Sequence, residues 1–557
     1  MKTFNLIRER WVPIRRLSGK IERIAPFEIT SQYDANPIIA LGWPRPDFDL
    51  ASYELLIGLL AAVYPGDPGK PKQWTHLFHA PPSPNELAAA LEPLADAFVL
   101  DGDGPRFLQD FDRLDGDELP IESLLIEAPG ANTIKLNKDL FIKRGHARVF
   151  SRGAAAMSLY TLQQFAPSGG AGHRTSLRGG GPLMTLALPD GGQTLRATLW
   201  QTLWLNTPAD LRLNISERTH AFPWLVRTRT SAKKETVHET DAHRLQAFFG
   251  MPRRIRLVFS ENVHRHACDL TGTIDSVVCT GFTTLPWGVN YGIWRHPTTP
   301  YYWPKANSNE APLPVHAPEG RLGYRQWLGL VFQGDGARAA DAILKGKDRL
   351  FDLGAPWTDN SRLLAGGYAM DNMKALAFAE AEMPLHSVDP SFNKEIERFA
   401  RIMVGTAKIA ASIIGIGIRR ALLGPKTEVK FDQTVLDTAR ERFWEITEVD
   451  FHKTLDIAVR SLAHDPQGDE QDKLVQAWHG CLERAAFSIF DDTASIDSFD
   501  ELEPEHIVEG RRLLVFSLRG YGKLGVSFFN ALGIDPPETK KKTGRASRAQ
   551  TKSEISQ

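Results

Sequence analysis

Apolar residues recur with two different periods along this chain, and the change falls near residue 390. Beyond it, residues 392–423, 431–463, 471–490 and 505–532 repeat apolar positions every three or four residues, with short Gly-, Pro- and Asp-rich segments between them. Each such helix has one apolar stripe to bury, and a short connection forces the next helix back alongside it. The pattern predicts an antiparallel four-helix bundle over residues 391–535. Before residue 390 the periods are mixed. Asn5-Leu6-Ile7 and Trp11-Val12-Pro13-Ile14 read as a short hairpin pair, and residues 50–63 as a helix opened by Asp47-Phe48-Asp49. Residues 101–127 are acidic and loop-rich, and residues 183–203 alternate in part. Residues 250–300, with Trp287 and Trp294, and Tyr301-Tyr302-Trp303 after them, suit irregular sheet packing. Residues 320–350 return to helical spacing, and 363–368 read as a loop before a strand or helix at 374–377. The fold class is therefore α+β: a large mixed globular domain over residues 1–390, the bundle, and a polar, basic tail over 536–557 expected to be disordered.

Composition narrows the class. The 557 residues are 42% hydrophobic, enough for a large core, and the formal net charge is -1. No global basic field exists, so any nucleic-acid surface has to be local. Three cysteines, Cys268, Cys279 and Cys481, suit a reducing cytoplasm and no disulfide scaffold. The first ten residues hold no signal-peptide run, and the most apolar helical stretch, about ten residues at 409–418, reads as too short for a bilayer. A soluble cytoplasmic protein without a membrane partner is expected.

One local charge asymmetry stands out. Lys135 to Arg178 carries eight Lys/Arg against one acid, Asp139. Within it, Pro167 to Pro182 holds six glycines, Arg174, Arg178 and His173, and no acid. Glycine lets a backbone approach another molecule closely, and free N–H groups beside arginines suit phosphate. A flexible surface loop is the competing reading.

Strong catalytic motifs are missing. His238 and His243 lie five apart, not the four that place two ligands on one helical face. Gly424-Pro425-Lys426-Thr427 lacks the glycine before the lysine of a phosphate loop, and no nucleophile elbow occurs. His264, His266, Cys268 and Cys279, or His464-Asp465, are the residues a metal-dependent hydrolase would use, although no CxxC accompanies them.

The order and spacing of several segments resemble the CasA family, the large subunits of the type I-E CRISPR surveillance complex (Cascade). These segments are Asn5-Leu6-Ile7 with Trp11-Val12-Pro13-Ile14, Ser176-Leu177-Arg178-Gly179-Gly180 with the glycine loop before it, Thr280-Gly281-Phe282, Trp294-Arg295-His296-Pro297 and Leu364-Ala365-Gly366-Gly367-Tyr368. The resemblance covers all but the basic tail. It implies a non-catalytic subunit without cofactor, whose partners are the other Cascade subunits, guide RNA, double-stranded target DNA and a recruited helicase–nuclease. It implies that the protospacer-adjacent motif (PAM) is read from the minor groove and the duplex wedged open to start an R-loop. Carried over, the groove-facing loop falls on Ser168, Gly169, Gly170, Ala171 and Gly172, the wedge on Asp371 and Asn372, and an anchoring loop on Asn132, Lys135, Leu136 and Asn137. Arg174 and Arg178 become the expected phosphate contacts.

The chain departs from the family pattern at four places, one of them Asp371-Asn372, where Asn-Gln is more usual. Ala171 stands where a glycine is usual. No lysine follows Thr280-Gly281-Phe282, where Thr283-Thr284-Leu285-Pro286-Trp287 stands instead. The first half of the paired CxxC zinc site of some members falls on Ser151 to Ala154 and is gone, so no metal is expected. Two other readings remain: a metal-dependent hydrolase and a structural scaffold of a nucleoprotein complex.

Overall fold

A computed structural model of the chain describes residues 3–67, 70–139, 144–170, 172–192, 196–305, 311–334, 336–372, 374–425, 433–464, 470–495 and 503–538. It divides into two units, Met1–Glu397 and Arg398–Gln557.

In the first unit β1 (Val12–Arg16) lies between β2 (Ile21–Ile24) and β3 (Ile38–Leu41), antiparallel to both. The expected pairing of β1 with Asn5-Leu6-Ile7 does not form; Asn5 bridges Val99 instead. Helix α1 (Pro46–Val63) starts as its proline and first-turn acids require and is buried along most of its length. A second sheet is organised around one long strand. β4 (Glu118–Pro120) and β5 (Phe150–Ser151) lie along one edge of β8 (Val277–Leu285), and β7 (Arg254–Glu261) runs along the other. Between β4 and β5 lies the short α2 (Ala131–Lys135). Helix α3 (Arg152–Phe165) follows β5, capped by the Ser151 hydroxyl, and is buried from Gly153 to its end.

A third sheet has the order β10–β9–β6, with β6 (Met184–Leu188), β9 (Arg362–Asp371) and β10 (Lys374–Pro384), all antiparallel. Residues 363–368, expected as a loop, are thus the middle of β9. Their glycines are packing positions: a Cβ on Gly366 would strike Leu50, and one on Gly367 would come within 2.9 Å of the Pro182 carbonyl oxygen. Strand character in 183–203 ends at Leu188, and a helix, Leu199–Asn206, takes up its last residues.

The second unit is helical: α4 (Asn393–Leu423, begun in the first unit), α5 (Thr434–His464), α6 (Glu470–Thr493), α7 (Pro504–Leu518) and α8 (Gly522–Leu532). Arg442 pairs with Asp492 and Asp450 with Cys481, so α5 and α6 run antiparallel. Arg511–Asp491 and Arg519–Glu483 show the same for α6 and α7. The fourth expected helix is broken in two, because Gly520 and Gly522 take φ of +87° and +70° around Tyr521. By length and composition α4 is apolar enough to cross a membrane, contrary to the ten-residue reading, since Lys408 is the only charge from Ile402 to Ile418. Its apolar residues Phe399, Met403, Ile413, Ile414 and Ile418 are buried, as in the core helix of a water-soluble bundle.

One buried ion pair ties the first unit together. Arg178 meets Glu54 of α1 through two hydrogen bonds of 2.6 and 2.8 Å, and both side chains are buried. The Thr298 hydroxyl donates to the same carboxylate at 2.9 Å. Arg178 also donates to the Thr299 hydroxyl at 3.0 Å and the Gln164 carbonyl at 3.3 Å, and lies over the Phe165 ring. Four segments distant in sequence are joined by one guanidinium, whose planar fork suits this geometry.

Two stability predictions follow from α1. Glu54→Ala leaves the Arg178 charge unpaired in the core and should lower the unfolding free energy by roughly 3–5 kcal/mol, whereas Glu54→Leu with Arg178→Met should lose less. Denaturant titration checks both, and a Glu54→Ala protein as stable as the parent would refute the first. Asp49 accepts the Trp43 N–H at 3.1 Å, and burial, with Glu380 nearby, pushes its carboxyl up to about 7. The folded state therefore holds a proton the unfolded chain releases between about pH 4 and 7, so stability falls as pH rises through that window. Asp49→Asn should gain roughly 1–3 kcal/mol at pH 8 and almost nothing at pH 4. Melting curves at the two pH values test this.

Candidate nucleic-acid interface

The glycine loop leaves the end of α3 at Phe165 and reaches β6 at Met184. Ala166 and Pro167 are buried; Ser168, Gly169 and Gly170 are exposed; Gly172 to Thr175 are half-buried. Ala171 lies outside the described residues. His173 donates its N–H to the Gly170 carbonyl at 2.7 Å, and Gly169 donates to the His173 carbonyl at 3.2 Å. Gly170 and Gly172 have φ of +68° and +85°, where a Cβ would be strained. A Cβ on Gly169 would lie 2.5 Å from a terminal nitrogen of Arg253. The loop is thus shaped by its own packing as well as left bare on its outer side.

Arg253, which periodicity did not single out, underlies it. Its guanidinium donates to the Arg174 carbonyl at 2.6 Å and the Pro167 carbonyl at 2.5 Å. Its backbone N–H donates to the Gln163 side chain of α3 at 2.9 Å. No carboxylate pairs with it among the described residues, and burial pushes its pKa down to about 10. The imidazole of His173 is also held below its ordinary range, by burial and then by the Arg253 charge.

The two expected phosphate contacts separate. Arg174 is half-buried at the loop, its Nε bonded to the Ser231 hydroxyl at 2.9 Å, and it has no carboxylate partner among the described residues. Arg178 is the buried partner of Glu54 and offers nothing to a phosphate; the expectation gives way to a structural role. The basic stretch is further depleted, because Arg152 is committed to Asp275 at 2.7 Å and Arg144 to Asp139. Counting charge along the sequence could not reveal partners 124 and 123 residues away.

Asp371 and Asn372 sit at the tip of the β9–β10 hairpin, both exposed, with Asn372 at φ +52°. Asparagine tolerates this left-handed turn conformation. The Asn372 amide donates to the Asp371 carboxylate at 3.0 Å, and Lys374 lies opposite Asp371 in register. The acid is therefore answered within the tip itself. The hairpin and the glycine loop are built as one piece: the loop leads into β6, β6 pairs with β9, and a Cβ on Gly181 would lie 2.6 Å from Met370.

The anchoring loop includes α2 and the turn after it. Lys135, Leu136 and Asn137 are exposed, and Asn137 has φ +50°. Arg144 donates to the Asn137 side chain at 3.0 Å and the Ile134 carbonyl at 3.1 Å, which closes the loop on itself. Asn132 lies within α2, and its side chain is outside the described residues.

The hydrolase candidates do not assemble. The rings of His264 and His266 are 5.8 Å apart, but Cys268 and Cys279 are buried, and burial pushes the Cys279 thiol up to about 12. Among the described residues no three His, Cys, Asp or Glu side chains are placed to share an ion. Asp465, beside His464, lies outside the described residues.

Trp287 is the other residue the pattern missed. It is 45% exposed at φ +65°, and its N–H donates to the Gly172 carbonyl at 2.9 Å. A bulky residue in that conformation follows from tertiary contacts, and no periodicity announces it.

Comparison with known proteins places the fold. A family model described as CRISPR-associated protein Cse1 matches residues 5–489. A crystal structure of Thermus thermophilus CasA is similar at a TM-score of 0.66 and 18% identity, covering 96% of this chain and 100% of that one. Cse1 from Acidimicrobium ferrooxidans gives 0.65 and 16%, covering 96% and 100%. A chain of a CRISPR RNA-guided surveillance complex gives 0.62 and 15%, covering 92% and 99%. With the family model spanning most of its length, and the α+β fold shared over most of the chain with these structures, the chain belongs to the Cse1 family of CRISPR-associated proteins.

Proposed function

We propose that this protein is the large, non-catalytic subunit of a type I-E CRISPR surveillance complex, reading the PAM of double-stranded target DNA and opening the duplex beside it. Family membership and the likeness to a chain of an RNA-guided surveillance complex support the general role. The observation that carries the finer reading is the joining of an exposed glycine loop to a projecting polar hairpin through one sheet.

On this reading the exposed backbone at Ser168 to Gly170 faces a minor groove about 6 Å wide, where side chains would obstruct contact. The minor groove distinguishes mainly A·T from G·C, so several PAM sequences should be accepted. Asn372 at the hairpin tip enters beside the PAM and helps separate the first base pairs. Unstacking is offset by pairing of guide RNA with the target strand, an exchange close enough to balance that a small protein contribution tips it. Lys135, Leu136 and Asn137, with Asn132, hold the subunit near the guide RNA. Residues 391–535 face the displaced strand and neighbouring subunits, and the assembled surface recruits the helicase–nuclease.

Binding of PAM-bearing and PAM-mutated duplexes by the guide-loaded complex, with and without this protein at one stated salt, tests the reading. Affinity should rise only when both protein and PAM are present. Gly170→Asn adds a side chain while tolerating the left-handed backbone, and should weaken PAM-dependent binding roughly tenfold without impairing assembly. Failure to assemble would make the loop structural. Asn372→Ala should slow duplex opening by roughly 3- to 10-fold, the loss of about one hydrogen bond, with less effect on PAM-independent binding. Equal losses in both assays would refute the wedge.

A further inference from the structure

Trp287 is held at an energetic disadvantage. A bulky L-residue in the left-handed region is a true outlier, and such strain persists only where the surroundings impose it. Three groups do so. Gly172 accepts the Trp287 N–H at 2.9 Å. Ser231, itself buried, donates its N–H to the Trp287 carbonyl at 3.1 Å and its hydroxyl to the Gly288 carbonyl at 2.7 Å. Gly288 packs so tightly that a Cβ there would run into the Pro252 carbonyl oxygen. Trp287 itself remains 45% exposed.

The same serine fixes a cation beside the ring. Arg174 bonds the Ser231 hydroxyl through Nε, and its guanidinium carbon lies 5.7 Å from the centre of the Trp287 ring. The two terminal nitrogens of Arg174 have no partner among the described residues. Arg253 adds a second positive charge without a carboxylate beneath the same loop. An exposed indole, an oriented guanidinium with free donors and a bare glycine backbone therefore meet on one patch. An aromatic face takes any base by stacking, and a guanidinium takes the phosphate next to it.

We infer that Trp287 and Arg174 form one nucleotide-binding unit, the indole stacking against an unpaired base of the target DNA and the guanidinium meeting the adjoining phosphate. This rests on the DNA-reading function proposed above and adds to it a platform for a base once the duplex has opened. Such a platform stabilises the opened state, whereas the glycine backbone engages the closed groove.

The test uses the guide-loaded complex carrying the full-length protein and a PAM-bearing duplex with 2-aminopurine placed at successive positions beside the PAM. Trp287→Gly removes the ring while suiting the left-handed backbone, and Trp287→Phe keeps a ring. With the parent protein, one 2-aminopurine position should be quenched by stacking after opening. Trp287→Gly should abolish that quenching and weaken target binding roughly 5- to 100-fold, and Trp287→Phe should retain most of both. Arg174→Gln should reduce the slope of log affinity against log salt by about 0.7, the loss of one phosphate contact on an unpaired strand. Should Trp287→Gly fail to join the complex, Trp287→Phe and Arg174→Gln still decide the matter: no quenching with Phe, or an unchanged salt slope, overturns the inference. It is likewise overturned if Trp287→Gly assembles and binds like the parent, or if Phe loses as much as Gly. If the parent itself shows no PAM-dependent binding, the DNA-reading function fails and takes this inference with it. PAM-dependent binding by the parent with unaffected Trp287→Gly sinks the nucleotide-binding unit alone.

Discussion

The Arg178–Glu54 ion pair is the constraint on which the glycine-loop face depends. A buried charge is tolerated only where a partner and further hydrogen bonds replace its water. Here the replacement comes from α1, from the end of α3 and from residues 298–299, so the pair forms only when all three have reached their places. Arg178 itself belongs to the glycine loop. The exposed half of the loop is therefore a short, bare span between two fixed ends, with the buried guanidinium at one side and Arg253 beneath the other. A loop so rich in glycine would otherwise lose much conformational entropy on meeting a ligand. Fixing its ends in the folded protein removes part of that loss beforehand.

Charge follows the same division. Four of the five arginines that make the segment from Lys135 to Arg178 look basic in the sequence fall into two groups. Arg144, Arg152 and Arg178 are absorbed by Asp139, Asp275 and Glu54. Arg174 is left beside the loop, and Arg253, from outside the stretch, joins it. At the glycine loop itself the described residues supply two cations without acidic partners, Arg174 and Arg253, rather than a run of eight. Two such charges at the loop make a local attraction for an anion.

Much of the fold was legible because strong periodicity survives tertiary packing. The long helices of the second unit and α1 appear where their apolar spacing puts them. The fourth helix was misread because its apolar run continues through Arg519-Gly520-Tyr521-Gly522, and only the positive φ of the two glycines ends it. Residues 363–368 were misread for the opposite reason: Gly366-Gly367 looks like a turn, yet both glycines are there because Leu50 and the Pro182 carbonyl lie against them. At the candidate site, the exposed glycines and the hairpin-tip residues could be picked out by their resemblance to a known family. The roles of Arg178, Arg253 and Trp287 could not, since each is set by residues far away in sequence.

The shared sheet also makes the first unit a ruler. Gly366 of β9 pairs with Met184, the first residue of β6 after the loop, and Asp371 ends the same strand five residues on. At about 3.4 Å per residue the tip stands roughly 17 Å beyond the point where the loop enters the sheet. Both ends of that length lie on hydrogen-bonded strands, so neither slides without breaking the register. On the proposed function, the glycine loop and the wedge are tied to one sheet, which fixes the separation between the PAM and the first base pair to open. The nucleotide at which guide pairing begins is then a dimension of the protein, independent of the sequence being read.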